Sequence, residues 1–228
     1  MQKFSREALK LKLDNEAIRK SMLLYAITDR AWLKEGETLE EVVEDVLKSG
    51  ATFLQLREKI QGHEEIVEMA KKLQALCKKY NVPFVVNDDT MAAKEIDADG
   101  VHIGQSDMEY TKAREILGPD KIIGVSAGNL QEAKEAERVG ADYIGVGAIF
   151  HTDTKKDATS LNMEQLKEIC EAVSIPVVAI GGISVDNALE LKGTGVDGIC
   201  VISAIFGSKN PSEATKKLLD LSKKIVSE

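Results

Sequence analysis

The chain has 228 residues, of which 43% are hydrophobic and 30% charged, with 30 Lys and Arg against 38 Asp and Glu. That apolar content can fill a sizeable core, which excludes a disulfide-stapled mini-protein, and charges interspersed with apolar periodic segments exclude a disordered chain. The net charge of −8 disfavours a general nucleic-acid binder.

Three cysteines, Cys77, Cys170 and Cys200, are odd in number and widely spaced, without a C-x-x-C pair. Neither a zinc knuckle nor a disulfide framework is readable from them, and a reducing compartment is expected. Met1 to Glu7 lacks an apolar signal core, and no apolar run approaches the roughly 18 residues that would span a bilayer. The sequence therefore predicts a cytoplasmic protein with no membrane or nucleic-acid partner.

In chain order, residues 1–22 read as a helical extension, with an amphipathic helix over 6–22 placed to cap one end of the domain formed by the rest of the chain. Residues 23–228 alternate apolar runs with amphipathic ones. Strands are predicted at 23–27, 53–56, 83–86, 100–103, 122–125, 143–146, 176–180 and 198–202. Most are apolar throughout, as strands of a parallel sheet buried on both faces must be. Helices are predicted between them at 38–47, 66–76, 91–96, 110–117, 130–139, 163–173, 185–191 and 214–225, with Thr38 and Asn129 as N-caps.

A short motif precedes every second strand: Gly50-Ala51-Thr52, Asp97-Ala98-Asp99, Gly140-Ala141-Asp142 and Gly195-Val196-Asp197. This twofold period, together with eight strands in so short a chain and no linker, predicts a single-domain α/β TIM (β/α)8 barrel over an open sheet.

Barrel chemistry is carried at the carboxyl ends of the strands. The second strand runs out as Gln55-Leu56-Arg57-Glu58-Lys59, where period two puts Gln55, Arg57 and Lys59 on one side. An amide and two cations aimed at one point suit a phosphate or diphosphate, although a solvated strand end would carry the same residues. The third strand ends Asn87-Asp88-Asp89, and Gly104-Gln105-Ser106-Asp107 follows the fourth. Adjacent strand ends let Asp88 and Asp107 share Mg²⁺ with substrate phosphate oxygens. The alternatives are a salt-bridge cluster and, for Asp89, a helix cap. Ser126 at the fifth strand end and the loop His151-Thr152-Asp153-Thr154-Lys155-Lys156 carry little alone. Gly181-Gly182 after strand seven and Ile202-Ser203 after strand eight lie where barrels commonly bind phosphate. His102, inside the fourth strand, reads as a hydrogen-bonded core residue.

Together these segments, with Gly124-Val125-Ser126 and Ala179-Ile180-Gly181-Gly182-Ile183, resemble the thiamine-phosphate synthase (thiamine-phosphate pyrophosphorylase) family in the family's order. The resemblance implies a transferase that joins 4-amino-2-methyl-5-(diphosphooxymethyl)pyrimidine to 4-methyl-5-(2-phosphoethyl)thiazole, releasing diphosphate. It implies that Gln55, Leu56, Arg57, Glu58, Lys59, Asn87, Ser126 and Lys155 contact the pyrimidine diphosphate, with Arg57, Lys59, Lys155 and Ser126 serving the chemistry. Asp88 and Asp107 would hold Mg²⁺. Thr152, Asp153, Thr154, Gly182, Ile202 and Ser203 would bind the thiazole phosphate. His151 stands where the family pattern has proline, and Gly128-Asn129 is a further variation. The alternatives are a thiazole tautomerase-like isomerase, which needs the phosphate site without the metal, and a non-catalytic thiazole-phosphate-binding barrel.

Overall fold

The computed structural model describes residues 14–105, 107–151 and 161–227. Eight parallel strands, β1 (Leu24–Ile27), β2 (Phe53–Leu56), β3 (Phe84–Asn87), β4 (Gly100–Ile103), β5 (Ile122–Ala127), β6 (Tyr143–Val146), β7 (Val177–Ile180) and β8 (Gly198–Val201), close into a barrel in sequence order. Closure is made where β8 pairs with β1, Cys200 opposite Tyr25. The helices are α1 (Asn15–Ser21), α2 (Leu39–Lys48), α3 (His63–Tyr80), α4 (Thr90–Glu95), α5 (Tyr110–Leu117), α6 (Leu130–Val139), α7 (Met163–Ala172), α8 (Ser203–Phe206) and α9 (Pro211–Val226).

Local chemistry starts most of these helices where the sequence places them. Thr38 caps α2 with a reciprocal capping box to Glu41, and the Asn129 side chain accepts from Glu132 N at the start of α6. One expected helix is not formed. Over 185–191 the chain makes only a 3₁₀ turn, Ala188–Leu191, because Asn187 Oδ1 accepts from Ser184 N while its Nδ2 donates to Gly182 O. These side-chain bonds to backbone compete with the helical ladder. Val185 and Leu189 are exposed.

Burial follows the two-shell logic of a barrel. Leu54, Leu56, Val86, Val101 and Ile144 pack outward against the helices, while Tyr25, Phe53, Val85, Tyr143, Val178 and Cys200 fill the interior. Ile18 and Met22 belong to the interior cluster, so α1 stops the amino-terminal end of the barrel. Arg19 fastens it there by bonds to Asp197 (2.5 Å) and Ser174 O (2.6 Å). Of the helix expected over 6–22, residues 6–13 lie outside the described residues; α1 itself is capped by Asp14, whose side chain accepts from Ala17 N.

The motif before alternate strands has a structural explanation. Thr52 Oγ1 accepts from Leu24 N (2.7 Å), Asp99 from Phe84 N (2.9 Å), Asp142 from Ile123 N (2.9 Å) and Asp197 from Val177 N (2.8 Å). Each even strand thus satisfies a backbone donor at the start of the odd strand before it. Those donors would otherwise be buried without partners.

Candidate active site

A cavity of about 330 Å³ opens at the carboxyl ends of the strands and has two unlike halves. The side formed by β2 to β5 is polar, with Gln55, Arg57, Asn87, His102 and Ser126. Across from it, β6 to β8 and their loops contribute Gly147, Ile180, Gly182, Ile202 and Ser203. Ile27 at the end of β1 lies between the two. Such a pocket accepts flat apolar groups on one wall and hydrogen-bonding or charged groups on the other.

Alternation along β2 sorts its residues as strand geometry requires. Gln55 and Arg57 point into the cavity, whereas Leu56 is buried in the outer shell. Glu58 also lies off the cavity wall: its carboxylate takes three hydrogen bonds from Arg30, on the turn after β1, with a closest approach of 2.5 Å. Beside this pair Asp29 Oδ2 lies 3.9 Å from Arg57 Nη1, and the two bridges latch the ends of β1 and β2 together. Arg57 Nη1 is nonetheless buried without a hydrogen-bond partner among the described residues. A guanidinium nitrogen withdrawn from water without a hydrogen bond is costly even beside the Asp29 charge, and an incoming anion would complete it. Lys59 sits on the exposed rim, where it makes no ion pair among the described residues.

The two carboxylates expected to meet do so. Asp88 and Asp107, from the ends of neighbouring β3 and β4, lie within hydrogen-bond reach of each other. Asp88 takes a left-handed conformation (φ 61°), which turns its side chain at the strand end, and Asn87 Nδ2 donates to it at 2.5 Å. Asp107 Oδ2 accepts from Gly104 N at 2.7 Å. Loss of water around its carboxyl, followed by the hydrogen bond to and repulsion from Asp107, raises the Asp88 pKa from 3.8 to about 7. Asn87 and the charge of Arg57 act in the opposite direction. Two hard oxygen donors with surplus negative charge are a suitable partial set for a divalent cation such as Mg²⁺. Asp89 does not join them: it caps α4 through Ala92 N (2.8 Å), and its other carboxylate oxygen accepts from His63 Nδ1 at 2.8 Å. That carboxylate is the main cause of a raised His63 pKa.

On the other wall Gly181 (φ 103°) and Gly182 (φ 63°) make the turn that leaves β7. A side chain would not fit at either position, since a Cβ on Gly182 would stand 2.3 Å from His151 O. The close approach is held by Phe150 N donating to Gly181 O (3.0 Å) and Ile149 N to Ile180 O (3.1 Å). Thr152, Asp153, Thr154 and Lys155 lie outside the described residues, as does Ser106.

Several cavity residues were not singled out from the sequence as site residues. Ile27, Gln105 and Glu132 line the wall, and His102 joins it through bonds to Tyr143 OH (2.9 Å) and Ser126 Oγ (3.0 Å). A polar group two residues from another inward position was the available signal for His102 and Tyr143. Glu132, one turn into α6, carried none.

Comparison with known proteins identifies the family and the fold. The thiamine monophosphate synthase family profile matches residues 24–205. The chain belongs to this family. It is 51% identical over 199 residues to a thiamine-phosphate synthase of Clostridium novyi, covering 87% of this chain and 97% of that one. It is 50% identical over 196 residues to the Methanobrevibacter smithii thiamine-phosphate synthase, with 86% and 93% covered. A solved thiamine phosphate pyrophosphorylase from Pyrococcus furiosus superposes with a TM-score of 0.85 at 43% identity, covering 92% of this chain and all of that one. A geranylgeranylglyceryl phosphate synthase from Thermoplasma acidophilum shares the fold alone, at TM-score 0.68 and 14% identity. The thiamine monophosphate synthase match begins at β1 and thus leaves α1 outside it. No helix among the described residues is long and apolar enough to cross a membrane.

Proposed function

We propose that this member of the thiamine monophosphate synthase family joins 4-amino-2-methyl-5-(diphosphooxymethyl)pyrimidine to 4-methyl-5-(2-phosphoethyl)thiazole, giving thiamine phosphate and diphosphate, with Mg²⁺ as cofactor. The observation that carries the reading is the Asp88–Asp107 carboxyl pair beside the buried nitrogen of Arg57 that lacks a hydrogen bond. One rim thereby offers a cation site and an anion site side by side, which is what a metal-bound diphosphate requires.

In this reading Asp88 and Asp107 hold Mg²⁺, whose charge would help neutralise the diphosphate as it departs. Arg57, Lys59 and Lys155 supply further positive charge to the same leaving group. Asn87 and Ser126 fix its oxygens by hydrogen bonds, and Gln55 faces the pyrimidine. The bond between the methylene carbon and the diphosphate oxygen breaks with its electron pair leaving on oxygen. The electron-rich aminopyrimidine spreads the positive charge left at the methylene. The thiazole nitrogen then donates its lone pair to form the new C–N bond, so no proton moves and no general base is needed. Ile27, Ile180 and Ile202 give the apolar surface on which the heterocycles stack and from which water is excluded. Gly182, Ile202 and Ser203, with Thr152, Asp153 and Thr154, hold the thiazole by its phosphate and set the angle of attack.

The test is incubation with both heterocyclic phosphates and Mg²⁺, with thiamine phosphate and diphosphate assayed together. Equimolar products that disappear on chelation are expected. No diphosphate release with both substrates present would overturn the synthase reading in favour of a non-catalytic binder. Turnover of a thiazole phosphate alone, indifferent to chelator, would indicate the isomerase.

A further inference from the structure

Across the floor of the cavity runs a single file of hydrogen bonds. Gln55 Nε2 donates to Tyr25 OH at 2.5 Å, Tyr25 OH meets Tyr143 OH at 2.8 Å, and Tyr143 OH meets His102 Nδ1 at 2.9 Å. His102 Nε2 then meets Ser126 Oγ at 3.0 Å. The file connects β2 to β5, and its two ends, Gln55 and Ser126, both face the cavity. Its middle is sealed: Tyr25 is 1% and Tyr143 0% exposed. Glycine at position 124 makes room for Tyr143, since a Cβ there would stand 2.0 Å from the ring carbon Cζ.

The donors and acceptors in such a file can be counted. An amide nitrogen only donates, so Tyr25 oxygen accepts and its own proton goes to Tyr143 oxygen. Tyr143 must then give its proton to His102 Nδ1, which leaves the imidazole proton on Nε2. That proton is donated to Ser126 Oγ, and the serine proton is the one left over. Burial drives both phenol pKa values well above the ordinary tyrosine range, so both hydroxyls keep the proton the count requires.

We infer that Tyr25 and Tyr143 are positioning residues whose one-way hydrogen-bond file holds His102 as the Nε2–H tautomer and turns the Ser126 hydroxyl proton toward the cavity. The consequence rests on the proposed function: Ser126 meets the diphosphate as a donor, and Gln55 presents its Oε1 to the pyrimidine as an acceptor. The opposite file, begun by Gln55 Oε1 accepting from Tyr25, would put the proton on Nδ1 and turn Ser126 inward to Nε2. Its serine would then offer only lone pairs to an anion.

The readout is the long-range ¹H–¹⁵N correlation of the histidine rings in the full chain, free of substrate. There are three histidines, so His63→Gln and His151→Gln identify the His102 signals by elimination. A neutral Nε2–H ring is expected in the unsubstituted protein. An Nδ1–H ring, or a doubly protonated one, overturns the inference whether or not the synthase reading stands. In Tyr143→Phe the ring is expected to lose its single tautomer, and a spectrum unchanged from the parent overturns the inference. With both substrates, the same variant should raise KM for the pyrimidine diphosphate about fivefold, the scale of one lost neutral hydrogen bond. A released tautomer with unchanged KM for both substrates would overturn the positioning role.

Discussion

Replacing Asp88 with Asn should stabilise the metal-free protein while damaging its activity. The substitution keeps the shape, Asn tolerates the left-handed φ of 61°, and its Oδ1 can still accept from Asn87. What it removes is one of two mutually repelling carboxyls. With its folded pKa near 7 against an ordinary 3.8, Asp88 binds its proton more tightly in the native state than in the unfolded chain. Stability from this source is therefore complete below about pH 4, declines as pH rises through the interval to 7, and stays lost above it. Unscreened, that interval corresponds to about 4 kcal/mol. Asp88 stands on an exposed rim, where solvent screening reduces the figure to about 1–2 kcal/mol. In EDTA near pH 8 the variant should melt about 2–8 °C higher than the parent, a gain that shrinks toward pH 4. Mg²⁺ should close the gap by stabilising the parent more, and turnover should need a higher Mg²⁺ concentration in the variant. Thermal melts at the two pH values, with and without Mg²⁺, decide the matter. A variant no more stable than its parent at pH 8, or equally stabilised at both values, would refute the carboxyl-pair argument.

Three further outcomes are expected. Arg57→Ala removes the buried nitrogen that lacks a hydrogen bond, and at saturating substrates its turnover should fall about 10²–10³-fold, the scale of one lost transition-state donor; an undiminished rate would count against its leaving-group role. Gly182→Ala puts a Cβ against His151 O in a backbone region that favours glycine, and should cost about 1–3 kcal/mol in urea unfolding; an unchanged midpoint would contradict the close approach. Asp142→Ala strands Ile123 N and removes the 2.6 Å bond from Arg114 Nη2, whose guanidinium keeps its bonds to Tyr110, Gly118 O and Lys121 O, at a cost of about 3 kcal/mol; a loss below about 1 kcal/mol would show that the seam before the strands is dispensable.

The strands were legible because a parallel barrel demands runs that are apolar on both faces, and such runs stand out between amphipathic helices. The seam of Thr52, Asp99, Asp142 and Asp197 was visible as a repeat, though its hydrogen bonds to the preceding strands were not. The helix expected over 185–191 illustrates the limit of periodicity. Asn187 bonds across the turn to Ser184 and Gly182, partners that periodic patterning does not register.

The site divides in the same way. Sequence alone determined the order of polar residues at the strand ends, because each sits at a fixed offset from an apolar run. It also placed Asp88 and Asp107 on neighbouring strands, where their carboxyls meet. Only the tertiary structure decided that Glu58 belongs to Arg30 and that Arg57 keeps a buried nitrogen without a hydrogen bond. The file from Gln55 to Ser126 belongs wholly to that second category. Its members are spread from position 25 to 143, and only closure of the sheet on itself turns their side chains toward one axis and brings their polar tips within hydrogen-bond distance.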